Sequence, residues 1–192
     1  MNHGNSSAKL APAKSALYTS PDPGGGAAEG EKMRERLDAI DWKILAELQR
    51  DGRITNVELS RRVGISAPPC LRRMRALEEA GIIRGYRALL DEKRLGYEVI
   101  VFAMVHLVSQ AEPDLVAFDE RIRNWPLVRE CWMLSGEVDF ILKCVAPDLA
   151  AFQAFLAELT ATPNVRSIRT ALALRRSKDE ASVPLEAETA KA

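Results

Sequence analysis

Residues 55–81, TNVELSRRVGISAPPCLRRMRALEEAG, decide how this chain is read, because they spell two capped helices joined by a tight turn. Thr55 and Glu58 stand at the spacing of a capping box, in which hydroxyl and carboxylate each satisfy a backbone N–H that the first turn leaves unpaired. The helix that begins there runs to about Val63, where Gly64 supplies the left-handed conformation of a helix end and Ile65 packs back. Ser66 opens a second helix, with Ala67, Pro68 and Pro69 in a first turn that tolerates missing N–H groups. A capping serine normally accepts from the N2 or N3 amide, and both are prolines here, so the Ser66 hydroxyl is expected to stay open to an outside phosphate. Gly81 sits at the C′ position, and Ile82 can meet Leu77 in a Schellman ending. Such a pair is a helix-turn-helix, and the partner it predicts is double-stranded DNA.

At about 100° per residue, Cys70, Leu71, Met74 and Leu77 share one apolar arc, Arg72, Arg75 and Glu79 point the other way, and Arg73 lies on a shoulder. A helix with that cationic face can lie in the major groove, where arginine bonds guanine bidentately and neutralises phosphates. The candidate DNA contacts are therefore Thr55, Asn56, Ser66 and Pro68 at the helix starts, with Arg72, Arg73 and Arg75 along the second helix. A merely solvated basic face would show the same arginines. The capped helices around a Gly turn make the DNA reading the more specific of the two.

The 192 residues allow one or two domains, and the chain divides into two. At 47% hydrophobic and 28% charged it has an ordinary globular composition. No apolar run reaches the about eighteen residues of a membrane span, and the first residues lack a secretory pattern, so a cytoplasmic, nucleoid-associated protein is expected. Cys70, Cys131 and Cys144 are an odd count in apolar surroundings without metal-ligand spacing, which predicts reduced core residues, no metal site and no cofactor. Net charge is zero, but its distribution is uneven: residues 34–90 hold 12 Lys and Arg against 8 Asp and Glu, whereas residues 97–176 hold 8 against 10. The basic excess belongs to the half with the capped helices.

Residues 1–33, rich in Ala, Ser, Pro and Gly, read as a disordered tail, with Lys9 and Lys14 as weak basic points. The DNA-binding domain then covers residues 34–90. Its first helix begins at Asp38, with Leu37 and Trp42 as a hydrophobic staple and Ile40, Ile44, Leu45 and Leu48 at helical spacing, and it ends at Asp51-Gly52. After Gly81, IIRGYRALL has strand character with Ile83, Tyr86 and Leu89 able to pack back; it forms a wing or simply leads out. Residues 91–96, DEKRLG, are the expected linker.

Residues 97–176 alternate strand and helix signals. VIVFAMVHLV, residues 99–108, reads as a strand covered on both faces. Pro113 and Asp114 start a helix with Leu115, Phe118, Ile122 and Trp125 on one side, stopped by Pro126. Residues 128–134 and 140–145 form a β-hairpin around SGEVD. Pro147 and Asp148 begin a helix with Leu149, Phe152, Leu156 and Leu159 as its buried stripe, and Pro163-Asn164 turns the chain into a last strand over 165–174. The fold class is α+β: a winged helix-turn-helix domain followed by a ferredoxin-like βαββαβ domain. The helices of such a domain cover one sheet face, and the other is too apolar here to stay wet, so at least a homodimer is expected. Residues 177–192 read as a frayed tail.

LDAIDWKILAELQRDGRITNVELSRRVGIS, PCLRRMRALEEAGIIRGYRALLD, SGEVDFILKCVAPD and the PNV turn together resemble the Lrp/AsnC family of transcriptional regulators, nearest its leucine-responsive branch, over residues 37 to about 185. The resemblance implies an N-terminal DNA-binding domain and a C-terminal domain that binds an amino acid or related small molecule, with dimers assembling to octamers. It also implies an effector site around Ser135, Gly136, Glu137, Val138 and Asp139, with Met133 and Leu149 supplying apolar contacts. The chemistry fits: Gly136 lets backbone N–H groups approach a carboxylate, and Glu137 or Asp139 can accept an ammonium. Read without the resemblance, SGEVD is a hairpin turn with Asp139 capping local amides.

The leading function is thus a sequence-specific, effector-responsive DNA-binding regulator. The alternative is an architectural protein that coats or bends DNA with little sequence preference. An enzyme is not expected: His3 lies in the tail, His106 lies in an apolar strand as a satisfied core or interface residue, and no catalytic carboxylate pair, nucleophile elbow or phosphate loop occurs.

Overall fold

The computed structural model describes residues 36–180 and 183–185. The tail expected over residues 1–33, with His3, Lys9 and Lys14, lies outside the described residues. The chain forms two compact units, one from residues up to Tyr86 together with the C-terminal segment at 183–185, the other Arg87–Glu180.

Among the described residues of the first unit three helices follow one another: α1 (Ala39–Arg50), α2 (Asn56–Val63) and α3 (Ala67–Glu79). Asp38 caps α1, its Oδ1 accepting from the Ile40 and Asp41 amides at 2.9 and 3.0 Å, while Asp41 reaches back to the Asp38 N–H at 3.2 Å. A complete capping box therefore stands at α1. At α2 only half the expected box forms. Thr55 Oγ1 accepts the Glu58 N–H at 3.2 Å, but the Glu58 carboxylate is held by Arg61 at 2.9 and 2.7 Å and Arg62 at 2.8 Å, and never reaches back. Two guanidinium donors outcompete one amide for the same oxygens. Gly64 ends α2 at φ 82°, and Ser66 makes no side-chain capping bond above the prolines of α3. Beyond α3 both Schellman bonds are present, Gly81 N–H to Glu78 C=O and Ile82 N–H to Leu77 C=O, each at 3.0 Å.

These ends set the helices around a core of Ile44, Leu59, Val63, Cys70 and Leu77, with Leu37, Trp42, Met74 and Ile82 packed at its edge. Full burial of a side chain such as Ile44 or Leu59 stabilises by about 1.5–3 kcal/mol. Leu185 joins the same cluster at 7% exposure, so the C-terminal stretch is not frayed throughout: an apolar side chain within reach of an open core edge docks there. Residues 84–90 form no strand, and Leu89 is 95% exposed rather than packed back. The segment leads out, because a strand without a neighbour to pair with has no ladder to hold it. A single turn at Lys93–Leu95 and a left-handed Gly96 follow.

The second unit runs β1 (Val99–Leu107), α4 (Glu112–Ile122), β2 (Val128–Met133), β3 (Phe140–Ala146), α5 (Leu149–Thr160) and β4 (Val165–Leu172), with sheet order β2-β3-β1-β4 and every neighbour antiparallel. That is the ferredoxin-like βαββαβ arrangement. Val101, Ala103, Val105 and Leu107 of β1 join Phe140, Leu142 and Cys144 of β3 beneath Phe118, Ile122, Phe152, Phe155 and Leu159. Trp125 lies past the end of α4 rather than on it. Its ring sits edge-on to Phe155 at 5.4 Å, and its indole N–H donates to Glu158 at 2.7 Å. Leu149 is 54% exposed and not part of the buried stripe, since the first residue of α5 overhangs the core; Phe155 takes its place.

Alternation along β1 corrects one further expectation. Only one face of that strand is buried in the protomer, and Ile100, Phe102, Met104 and His106 on the other are partly exposed. Register places Trp132, Ile141, Met104 and Arg169 in one row across this open face, and Glu130, Lys143, Phe102 and Ala171 in the next. Its apolar stripe carries one ion pair, Lys143–Glu130 at 2.6 Å. Burial pushes the Cys131 and Cys144 thiols up to about 12, which leaves them protonated, and all three cysteines are free.

Hydrogen bonds from Arg61 and then Arg62 hold the Glu58 carboxyl at about 2, below its ordinary 4.5. Because the folded value is the lower one, this contribution is present above the ordinary glutamate range and is lost as pH falls from 4.5 toward 2. Melting scans across that range should show a shallower acid limb for Glu58→Gln than for the wild type; parallel limbs would remove this carboxylate from the acid sensitivity.

Candidate DNA-facing helix and effector loop

Cys70 and Leu77 bury one side of α3, and that orientation assigns the three arginines different surroundings. Arg72 and Arg75 are exposed on the opposite side, where they line a shallow open recess with Pro68, Leu71, Ala76 and Glu79. Neither has an ion-pair partner among the described residues. Arg73 is different. Its Nη1 lies 2.7 Å from Asp38 Oδ2 and 2.9 Å from Asp41 Oδ1, and these carboxylates, Asp41 foremost, raise its pKa further. The guanidinium expected to project outward instead ties α3 to the capping box of α1, because a shoulder position one residue from Arg72 turns toward the acidic helix start.

The helix starts divide in the same way. Thr55, Ser66 and Pro68 are exposed, and the Ser66 hydroxyl is free of any capping bond. Asn56 is not an outward contact. Its Nδ2 donates to the Ala67 C=O at 2.9 Å, clamping α2 to the first turn of α3, while its Oδ1 is buried without a partner among the described residues. Arg61 and Arg62 are engaged by Glu58, and Arg62 also by Glu47 at 3.0 Å. Basic side chains free to meet a phosphate on α2 and α3 are thus concentrated at positions 72 and 75.

In the second unit the loop after β2 turns at Gly136, φ 138°, a backbone conformation that side chains other than glycine rarely adopt. Met133, Ser135, Gly136 and Glu137 are exposed, as is Leu149, with Val138 half-buried. Asp139 is 7% exposed, and its carboxylate is already occupied. Oδ2 accepts the Leu107 N–H and Oδ1 accepts the Gln110 Nε2–H, both at 2.6 Å. It does not cap local amides: it crosses to the end of β1, and as placed it is no open acceptor for an ammonium. Gln110 did not stand out in the sequence, and Asn164 did so only as a turn residue. Gln110 occupies a loop without a motif, and the side-chain bonds of Asn164 reach 55 residues back, from the α5–β4 turn to Ser109.

His106, expected as a satisfied core or interface residue, lies on the open sheet face and not in the core, with Nδ1 buried and unpartnered among the described residues of the protomer. Among the described residues no group of three or more His, Cys, Asp or Glu is placed to hold a metal ion, and no helix is long and apolar enough to cross a membrane.

Comparison with known proteins assigns both units. Residues 37–84 match the family described as winged helix-turn-helix DNA-binding, and residues 100–183 match the Lrp/AsnC ligand binding domain. The chain is 62% identical over 154 residues to a leucine-responsive regulatory protein of Rhizobium meliloti, covering 80% of this chain and 99% of that one. It is 45% identical over 150 residues to the Bkd operon transcriptional regulator of Pseudomonas aeruginosa, covering 78% and 98%. A transcriptional regulator of Neisseria meningitidis, solved as its L-Met complex, superposes with a TM-score of 0.75 at 38% identity, covering 79% of this chain and 99% of that one. The helix-turn-helix and the ferredoxin-like sheet occur in the order and extent of these relatives, and the chain belongs to the Lrp/AsnC family of DNA-binding, amino-acid-responsive transcriptional regulators.

Proposed function

We propose that this regulator grips operator DNA with Arg72 and Arg75 of α3, with Thr55, Ser66 and Pro68 set against the phosphate backbone at the helix starts. The observation that carries this reading is the unequal treatment of the arginines: carboxylates neutralise Arg61, Arg62 and Arg73, whereas Arg72 and Arg75 face solvent with no counter-charge paired to them. Such side chains are available for guanine edges and phosphates. Arg73 is a bracing residue in this account. A sequence-specific regulator is favoured over an architectural protein, and the relatives named above are regulators rather than enzymes. Its place of action is the cytoplasm, on the nucleoid.

The open sheet face supports a homodimer. Trp132, Ile141, Met104, Phe102 and Ile100 form an apolar stripe that a second copy can cover, which would bring two recognition helices to successive major grooves. Dimers assembling to octamers would bring the 135–139 loops together. The effector is an amino acid or related small molecule, held by backbone N–H groups at Gly136, by Glu137 as the exposed loop carboxylate, by Ser135, and by Met133 and Leu149 as apolar contacts. Asp139 shapes this loop from inside.

In gel-shift titrations on an operator fragment, Arg72→Ala and Arg75→Ala should each weaken binding by about tenfold, the scale of a lost base or phosphate contact, with the oligomer intact. Unchanged affinity in both would take α3 out of the DNA interface. Arg73→Ala should behave oppositely, lowering thermal stability by about 0.5–1 kcal/mol with little change in affinity.

Replacing Asp139 by Ala leaves the buried Leu107 amide unpaired, and a fall of about 1–3 kcal/mol in stability is expected before any effector is added. A melting temperature equal to wild type would show the carboxylate to be dispensable for the loop. Sedimentation of Phe102→Asp should report a smaller species than wild type, since a charge in the middle of the stripe must be desolvated on pairing; an unaltered oligomer would place the interface elsewhere.

A further inference from the structure

Residues 107–110, which lead from β1 to α4, are held by two other loops in a nested pattern. Leu107 and Gln110, the outer pair, both donate to the Asp139 carboxylate at 2.6 Å. Val108 and Ser109, the inner pair, bond Asn164 in the turn between α5 and β4. The Val108 N–H donates to the Asn164 C=O at 2.8 Å, the Ser109 N–H donates to Asn164 Oδ1 at 2.9 Å, and Asn164 Nδ2 donates to the Ser109 C=O at 3.0 Å. Asn164 holds φ 69°, a left-handed conformation that asparagine tolerates, so its amide and its carbonyl both meet the strand end. Ser109 Oγ then accepts the Ala111 N–H at 3.2 Å, at the start of α4. Asn164 and Asp139 thus never touch through any of these bonds, yet four consecutive residues are shared between them.

We propose that Gln110 and Asn164 are positioning residues of the effector response: Asn164 fixes the 108–109 backbone, this aims the Gln110 amide at Asp139, and Asp139 so held sets the shape of the 135–139 loop. The bonds divide the work. Donors from both ends of the same four-residue stretch meet on one buried carboxylate, so moving Leu107 releases a buried amide and moving Gln110, itself exposed, takes a partner from the buried Asp139, and both are costly. An effector that shifts the loop at Asp139 therefore shifts the start of α4 and the α5–β4 turn with it, and the converse holds by linkage. This rests on the effector reading above, but the coupling of the three loops can be measured without any effector.

The test is residue-resolved hydrogen exchange on the full chain, comparing wild type, Gln110→Met and Asn164→Gly. Glycine keeps the positive φ and removes only the amide clamp. The amides of Leu107 and Leu134, which bond the Asp139 side chain and carbonyl, should exchange about tenfold faster in both variants, the scale of one net hydrogen bond. A purely local role for Asn164 would accelerate Val108 and Ser109 alone, and wild-type rates at Leu107 and Leu134 in Asn164→Gly would overturn the relay. Asn164→Asp, which retains the acceptor for the Ser109 N–H, should fall between glycine and wild type. In operator gel shifts with L-leucine and with L-methionine, both variants should move the half-response concentration by about tenfold on the same hydrogen-bond scale. A wild-type response with no shift in either variant counts against the relay. Silence of the wild type toward both amino acids strikes the effector reading instead, and exchange alone then decides the coupling.

Discussion

The seating of α3 on α1 and α2 is the constraint from which the proposed DNA-facing surface follows. Cys70 and Leu77 are buried against Ile44, Leu59 and Val63, with Met74 at the margin, and this fixes the rotation of the helix about its axis. Once that rotation is set, a step of one residue moves a side chain through about 100°. Arg72 and Arg75 therefore leave the core, while Arg73 turns onto Asp38 and Asp41. The same residue type serves as a cationic surface at two positions and as a brace at the third, and the difference is the supply of carboxylates within reach. Exposed ion pairs of this kind stabilise little individually. Their larger effect is to remove Arg61, Arg62 and Arg73 from the set of cations free to meet phosphate.

The second unit shows how far an antiparallel sheet can leave a protomer unfinished. Period-two alternation puts Val101, Ala103, Val105 and Leu107 under the helices and sends Ile100, Phe102 and Met104 to the other side. The first set makes a dense core with Phe118 and Phe140 at 4.8 Å between ring centroids. The second set awaits cover, and the proposed dimer provides it. At one end of the sheet, side-chain bonds from Asp139 and Asn164 hold the loops around β1. The 135–139 loop is thereby fastened at its buried end and open at Ser135, Gly136 and Glu137, a division suited to the effector role proposed for it.

Much of this architecture was readable from local chemistry. Asp38, Thr55 and Asp148 as helix starts, Gly64 and Gly81 as left-handed ends, the prolines after Ser66, and the strand-helix alternation of residues 97–176 are all decided within a few residues of chain, so spacing and residue type suffice to find them. The exposed arginines at 72 and 75 follow from the same periodicity. What spacing could not reveal were the competitions and long reaches. Glu58 had the position of a capping-box partner, but Arg61 and Arg62 held its oxygens. Arg73 was one more basic residue until α1 came beside it, and Leu185 was part of a polar tail until it met the helical core. Asp139 resembled an open carboxylate because its two donors lie 29 and 32 residues away in sequence. Helix starts, turns and faces were set by neighbours along the chain; which polar groups stay free was set only when distant segments met, because a hydrogen bond or ion pair goes to whichever donor the fold brings within about 3 Å.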